Sequence, residues 1–148
     1  MTEERIQVPK GEGDNIETPP WLFSYLNETF RFTWDACSNA ENNLVGGFKD
    51  ALLMDNWLEH RTVFMNPPYS KPKNFLLMAA EASKRNVTTV ALIKGDPSTT
   101  WWNSYVDPYA TVKWLPYRIR FYYKGKPTQD VANFPSVIAI YWGVNWKR

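Results

Sequence analysis

The feature that most constrains the fold is a pair of prolines directly after a short apolar segment. Residues 62–65 read Thr-Val-Phe-Met, and Asn66, Pro67, Pro68 and Tyr69 follow. A β-branched and aromatic segment bounded by a turn signal predicts a buried strand. Proline has no backbone N–H for a strand ladder, so the chain must leave the sheet at Asn66. Proline also holds the preceding residue extended, which fixes the direction of the Asn66 and Pro67 carbonyl groups.

These four residues present two hydrogen-bond acceptors beside an aromatic ring. The side-chain oxygen of Asn66 and the main-chain oxygen of Pro67 could each accept one hydrogen of an exocyclic amino group, and Tyr69 could stack on the ring that carries it. The tetrapeptide is equally compatible with a plain turn that closes a strand. The rest of the chain has to decide between these interpretations.

Composition predicts one globular domain. The chain has 148 residues, of which 44% are hydrophobic and 16% aromatic, enough for a core. Its net charge of +2 permits a nucleic-acid partner, and its eight tryptophans suit either packing or stacking on bases. The single cysteine, Cys37, excludes an internal disulfide and a cysteine-based zinc site. No segment has the length of a membrane span, and the polar start argues against a signal peptide.

Strand and helix signals alternate along most of the chain. Residues 1–16 are polar and predict a flexible arm, and residues 17–148 predict a single domain. Thr18 is expected to cap a helix that ends near Phe30. The remaining predicted elements are helices over residues 72–85 and 98–106, a short helical or irregular piece over 50–57, and strands over residues 31–36, 62–65, 87–93, 111–115, 119–123 and 137–142. This order favours an α/β fold with a mostly parallel sheet and an antiparallel C-terminal edge.

Asp35 and Asn66 each stand where a predicted strand ends. If the two strands are parallel neighbours, both side chains open onto one crevice, because ligands of open α/β sheets bind at the carboxyl ends of the strands. A carboxylate there can bind an ammonium group or hydroxyls, although a turn aspartate would look the same. We expect a nucleoside-like cofactor at Asp35 and an amine at Asn66.

Short motifs spread over nearly the whole chain after residue 16 carry a family resemblance. They are Thr18-Pro19 with Trp21, residues 32–37, 40–42, 50–52 and 55–57, Asn66 to Tyr69, Trp101, and residues 115–121 and 134–136. With these motifs the chain resembles the phage-type DNA N6-adenine methyltransferases (Dam-like). The resemblance implies a Rossmann-like methyltransferase sheet with helices on both faces, S-adenosyl-L-methionine as cofactor, and DNA as partner. It also implies methyl transfer to the N6 amine of adenine without a metal.

The resemblance implies roles for particular residues by position. Asn66, Pro67, Pro68 and Tyr69 would form the catalytic loop. The implied cofactor contacts are Thr18, Pro19 and Trp21 before the first strand, Asp35, Ala36 and Cys37 at its end, and Asn42, Asp50 and Asp55 beyond it. Cys37 is preceded by alanine rather than proline and does not match the attacking thiol of cytosine C5 methylation, so a small buried residue is the favoured interpretation.

A basic and aromatic stretch between residues 111 and 126 suits DNA. Phosphate contacts are predicted at Lys113, Arg118, Arg120 and Lys124. The solvent-exposed face of a sheet would show the same alternation of basic and aromatic residues, and the two interpretations stay open. Two positions depart from the pattern expected of such enzymes: residues 36–38 are Ala-Cys-Ser where glycines are usual, and Lys94-Gly95 stands where an apolar residue is expected. His60 receives no role.

Two alternative functions remain open at this stage. The same fold methylates other amines, namely guanine N2 in RNA and glutamine in proteins, and Asn-Pro-Pro-Tyr occurs in those enzymes too. The other alternative is a catalytically inactive nucleic-acid-binding module. The oligomeric state is expected to be a monomer or homodimer. The single cysteine and the resemblance predict the cytoplasm, that of the bacterial host if the chain is phage-encoded.

Overall fold

A five-stranded mixed sheet runs through the centre of the computed structural model, which describes residues 4–146. The strands are β1 (Trp34–Asp35), β2 (Thr62–Met65), β3 (Thr88–Lys94), β4 (Thr111–Trp114) and β7 (Ser136–Tyr141), and β5 (Tyr122–Tyr123) and β6 (Lys126–Pro127) form a separate hairpin. The sheet order is β1-β2-β3-β7-β4. Strands β1, β2 and β3 are parallel, and β7 is antiparallel to both of its neighbours. The predicted α/β class is confirmed, with β7 inside the sheet rather than at its edge.

Helices cover both faces of this sheet. They are α1 (Pro20–Phe30), α2 (Met54–Trp57), α3 (Lys73–Ser83) and α4 (Thr100–Tyr105). Side chains of α1 pack with Phe64 of β2 in one core, and side chains of α3 pack with Val63 and Met65 in a second core. Because successive residues of a strand point to opposite faces, these cores lie on opposite sides of the sheet. Among residues 4–146, no helix is long and apolar enough to cross a membrane.

Local chemistry explains where α1 ends and why β1 is short. Arg31 has a left-handed backbone (φ 54°) and its N–H bonds to the Asn27 carbonyl oxygen at 2.9 Å, which closes the last turn of the helix. The Asn27 side chain then accepts from the Phe32 N–H at 2.7 Å. Residues 31 and 32 are therefore engaged in capping α1, and the predicted strand over residues 31–36 is reduced to Trp34–Asp35.

Several predicted boundaries differ from the structure. Strand 119–123 is reduced to β5, which lies outside the main sheet. Thr18 does not cap α1, because its hydroxyl bonds to Asn66 instead. Thr99 rather than Ser98 caps α4, since its Oγ1 accepts from the Trp102 N–H at 3.3 Å. The difference at Thr18 arises from a tertiary contact, whereas Ser98 bonds locally to Asp96 at 2.6 Å and leaves the cap to Thr99.

The structure explains the departure at Lys94-Gly95. A Cβ atom at Gly95 would clash with the indole ring of Trp114, so only glycine leaves room for this ring. Lys94, the last residue of β3, holds its Nζ 5.7 Å from the centre of the Phe134 ring and 3.8 Å from the Asp96 carboxylate. Lys94 and Gly95 therefore contribute to side-chain packing at the end of β3.

The N-terminal segment (residues 4–17) runs along the β5–β6 hairpin. Main-chain bonds join Ile6 to Pro127 (2.9 Å) and to Gln129 (2.8 Å), and Glu17 pairs with Tyr122. This segment contains most of the predicted arm, and residues 1–3 of that arm lie outside the described part of the chain.

Gly46 offers a test of the loop that follows β1. Its φ is +86°, and a Cβ atom would clash with the Thr33 carbonyl oxygen and lie 2.9 Å from the Cα of Trp34. We expect Gly46→Ala to lower the free energy of unfolding by about 3 kcal/mol, measured by urea denaturation. Gly47 has φ +80° but open space around it. The matched variant Gly47→Ala should cost only about 1–2 kcal/mol, and equal losses would contradict the predicted clash.

Candidate functional site

The ends of β1 and β2 open onto one large cleft, as the sequence predicts. Asp35 is the last residue of β1, Asn66 follows β2 directly, and both line a cavity of about 1280 Å³. Single small-molecule sites usually measure about 300–1,000 Å³. This main cleft is therefore large enough for more than one small ligand. Its walls come from the N-terminal segment, the loop after β1, the loop after β2 and the β5–β6 hairpin.

Asp35 is a buried carboxyl group with few partners. Only 4% of its surface is exposed, and its Oδ2 accepts from the Leu44 N–H at 3.1 Å. Burial raises its pKa to about 7, and the bond from Leu44 opposes this shift. An ordered polar loop surrounds it: Ser38 Oγ and Asn43 Nδ2 donate to the Asp35 carbonyl oxygen at 2.8 and 3.2 Å. The carboxyl group is thus held rigidly at the cleft wall with spare acceptor capacity.

Cys37 lies beside this carboxyl group. Burial raises the pKa of its thiol, and the charge of Asp35 adds to the shift. The thiol is therefore protonated at neutral pH. A protonated thiol is a poor nucleophile, which agrees with the prediction that Cys37 is not an attacking thiol. Its side chain is half-buried at the cleft wall, not fully buried as the sequence predicted.

The Asn-Pro-Pro-Tyr loop (residues 66–69) is held by its own side chains. Asn66 Nδ2 donates to Thr18 Oγ1 at 3.0 Å, and the Tyr69 hydroxyl donates to Asn66 Oδ1 at 2.8 Å. The Tyr69 ring packs against Phe121 and Phe134, with ring centroids 5.6 and 5.0 Å apart. An amide oxygen has two lone pairs, so Asn66 Oδ1 can accept one further hydrogen.

The residues of the loop have different surroundings. Asn66 and Pro68 line the main cleft, whereas Pro67 and Tyr69 lie beside Lys94 and Trp101 at a crevice with no room for a water molecule. Burial of the Tyr69 hydroxyl raises its pKa, so this group stays a hydrogen-bond donor.

The structure brings part of the predicted cofactor set together. Thr18, Asp35, Ala36, Cys37, Asn42 and Asp50 all line the main cleft. Pro19, Trp21 and Asp55 do not contribute to its walls. Pro19 is the N-cap residue of α1, Trp21 is 59% exposed on that helix, and Asp55 lies in the first turn of α2.

The four predicted DNA contacts have different surroundings. Arg120 Nη1 donates to the carbonyl oxygens of Thr128 and Gln129 at 2.8 and 2.7 Å, so its guanidinium holds a loop. Lys124 lines the main cleft. Lys113, on the edge strand β4, and Arg118 are exposed.

Carboxyl groups of the N-terminal segment also line the main cleft, and the sequence-based site missed them. They are Glu12, Asp14 and Glu17. The sequence signal that could have found them is their position shortly before Thr18, a residue that the family resemblance already assigns to the cofactor site. With Asp35, Glu41 and Asp50 they give the cleft six carboxyl groups against two lysines, Lys49 and Lys124. Such a cleft favours cationic ligands and disfavours phosphate. Among residues 4–146 no three His, Cys, Asp or Glu side chains are grouped to hold a metal ion.

Fold and site together define an α/β protein whose ligand cleft lies at the carboxyl ends of parallel strands, with an Asn-Pro-Pro-Tyr loop in one wall. The family described as DNA N-6-adenine-methyltransferase (Dam) matches the chain over residues 5–147. The chain belongs to this family.

Two phage proteins are similar to this chain. The DNA N-6-adenine-methyltransferase of Haemophilus phage HP1 (strain HP1c1) is 36% identical over 105 residues, which cover 67% of this chain and 60% of that protein. The DNA N-6-adenine-methyltransferase of Escherichia phage T1 is 28% identical over 112 residues, which cover 73% of this chain and 47% of that protein. The chain thus spans about half to three fifths of the length of the curated relatives it matches.

The raised pKa of Asp35 predicts a pH-dependent stability. In the fold this pKa is about 7, against an ordinary value of 3.8 for an aspartate, so the folded state binds more protons between these values. The free energy of unfolding should therefore fall as pH rises through this window, by up to about 1.4 kcal/mol per unit. The resulting destabilisation is absent well below pH 3.8 and complete well above about pH 7.

Asp35→Asn removes this contribution. Denaturant unfolding at about pH 5 and about pH 7 should show a smaller loss of stability in the variant than in the wild type. The exposed Asp55 provides the matched control, because Asp55→Asn should follow the wild type. Parallel wild-type and Asp35→Asn profiles would argue against a buried, protonated Asp35.

Proposed function

We propose that this protein transfers a methyl group from S-adenosyl-L-methionine to the N6 amine of adenine in DNA, on a Rossmann-like methyltransferase sheet. The observation that carries the proposal is the position of the Asn-Pro-Pro-Tyr loop. Its Asn66 side chain opens onto the same cleft as Asp35, in a chain that belongs to the Dam family. The names of the two phage relatives support the same activity.

The charge of the main cleft fits the proposed cofactor. S-adenosyl-L-methionine carries a sulfonium and an ammonium group, and a cation near Asp35 would stabilise the ionised carboxylate that burial disfavours. The small side chains of Ala36 and Cys37 leave space at the end of β1, and Asp50 lies across the same cleft. The residues proposed to hold the cofactor are Thr18, Asp35, Ala36, Cys37, Asn42 and Asp50. When bound, the cofactor supplies an activated methyl group.

The protein's part in the reaction is to activate a weak nucleophile. The lone pair of the adenine amine is delocalised into the ring. The free lone pair of Asn66 Oδ1 and the main-chain oxygen of Pro67 would accept the two amine hydrogens, which draws the nitrogen toward tetrahedral geometry and directs its lone pair. Transfer would then be direct: the nitrogen gains the methyl group as the bond from sulfur to the methyl carbon breaks, the cofactor leaves as a thioether, and one amine proton is released to solvent. The protonated Cys37 is not needed as a nucleophile.

Tyr69 would have two roles in this proposal. In its packed position the hydroxyl orients Asn66 Oδ1. Stacking on an extruded adenine would use the part of the ring that Phe121 and Phe134 leave uncovered, since Tyr69 is only half-buried.

DNA is proposed to approach from outside the acidic cleft. Trp114 (48% exposed) and Tyr117 (80% exposed) offer aromatic surface next to Lys113 and Arg118. These two cations are the proposed phosphate contacts, whereas Arg120 is committed to main-chain carbonyls. A phage-encoded enzyme of this kind would act in the cytoplasm of the host bacterium.

Nucleoside analysis tests the proposed substrate. The protein is incubated with labelled cofactor and, in parallel, with unmethylated DNA, RNA and protein. The treated DNA is then digested to nucleosides for mass detection. We expect N6-methyladenine in DNA. Label in RNA or protein alone, or methylated cytosine, would replace the proposal with another amine.

Asn66→Ala is expected to reduce methyl transfer about 100-fold or more, because one of the two amine acceptors is lost. Cofactor affinity, measured by calorimetry, should change little, since Asn66 is assigned to the amine side of the cleft. Asn74 is an exposed asparagine at the start of α3 and provides the control. Asn74→Ala should keep wild-type activity, and a fully active Asn66→Ala would refute the assigned role.

A further inference from the structure

The Asn-Pro-Pro-Tyr loop is tied to a single segment of the chain at both of its ends. At the first end, Asn66 Nδ2 donates to Thr18 Oγ1 at 3.0 Å. At the other, the residue after the loop, Ser70, donates its N–H to Asp14 Oδ1 at 3.0 Å and its hydroxyl to Asp14 Oδ2. Residues 14–18, here called the clamp, therefore lie alongside residues 66–70.

The clamp is anchored independently of the loop. Glu17 exchanges two main-chain bonds with Tyr122 of β5, and the Gly125 N–H donates to Glu17 Oε1 at 2.9 Å. These bonds fix the clamp to the β5–β6 hairpin, which also lines the main cleft. The clamp thus gives the Asn-Pro-Pro-Tyr loop a support that does not depend on the loop itself.

The side chains of the loop hold it only in part, because its two prolines leave it few main-chain hydrogen bonds of its own. Pro67 and Pro68 have no N–H, so neither can donate a main-chain hydrogen bond. The Ser70 hydroxyl lowers the pKa of Asp14, which keeps the carboxylate ionised at neutral pH. Asp14 and Ser70 are both exposed, and exposed interactions of this kind contribute little to overall stability. The contact is therefore suited to positioning the loop rather than to holding the fold.

We propose that Asp14 is a positioning residue for methyl transfer: through Ser70 it fixes the Tyr69 end of the Asn-Pro-Pro-Tyr loop, as Thr18 fixes the Asn66 end. The proposal rests on the proposed function of that loop. Loss of Asp14 leaves the Ser70 end free to move, so the two amine acceptors are placed less often where the amine needs them. Small misplacements of this kind reduce turnover strongly.

Steady-state kinetics of the full chain test this proposal. We expect Asp14→Ala to lower kcat about tenfold, with the thermal midpoint and the calorimetric Kd for S-adenosyl-L-methionine near the wild-type values. Asp14→Asn keeps one acceptor and should lose less. Glu4 is a carboxylate of the same N-terminal segment that pairs with Lys126 at 3.3 Å. Glu4→Gln is the matched control and should retain full turnover.

A double-mutant cycle separates positioning from a direct effect on the cleft. If Asp14 acts through Ser70, the double variant Asp14→Ala with Ser70→Ala should be no slower than Asp14→Ala alone. Additive losses would show that the two residues act separately and would overturn the proposal. A drop in turnover explained wholly by weaker cofactor binding would overturn it too.

Amide hydrogen exchange supplies a measurement that needs no activity. The Ser70 N–H should exchange faster in Asp14→Ala than in the wild type or in Glu4→Gln, while amides of β2 and β3 stay protected. Unchanged exchange at Ser70 would overturn the proposed role of Asp14 even if the enzyme is active. If Ser70 exchanges faster in Asp14→Ala but the wild-type protein methylates no DNA, the role of Asp14 in holding Ser70 is supported and the proposed function is refuted.

Discussion

The parallel pairing of β1 with β2 is the constraint on which the site depends. Asp35 pairs with Phe64, so the end of β1 and the residue after β2 lie at the same edge of the sheet. The two prolines force the chain out of the sheet at this edge, because neither can donate to a neighbouring strand. The buried Asp35 carboxyl group and the Asn66 side-chain amide therefore line one cleft. The helices on both faces bury β2 and nearly all of β3.

The main cleft combines two opposite electrostatic requirements. Its carboxyl groups suit a cation, yet the proposed substrate is a polyanion. The structure separates the two in space, since the exposed cations Lys113 and Arg118 lie outside the cleft walls. Burial of Asp35 costs stability at neutral pH, as its raised pKa shows. This cost is typical of functional sites, where a charged group is kept ready for a ligand.

Much of the fold could be predicted because its signals are local. The bounds of β2 were predicted as residues 62–65 and confirmed, since a β-branched run ended by proline has few other outcomes. The predicted end of α1 at Phe30 was also correct. Strand 119–123 was largely wrong, because alternating residues there pack on the N-terminal segment and the second core rather than joining the main sheet. Helix caps were predicted from residue type, but competing hydrogen-bond partners decide which residue caps a helix. At Thr18 the competing partner is Asn66.

The sequence by itself determined that strands end at Asp35 and before Asn66, and it predicted one shared cleft if these strands are parallel neighbours; the tertiary structure supplied that pairing. Steric and hydrogen-bonding rules act between neighbouring residues, so such features can be read along the chain. Only the tertiary structure decided that the Tyr69 ring packs against Phe121 and Phe134, that Arg120 binds carbonyl oxygens, and that Asp14 reaches Ser70. Each of these contacts joins residues far apart in the sequence, and no local preference encodes which distant partner a polar or aromatic side chain will meet.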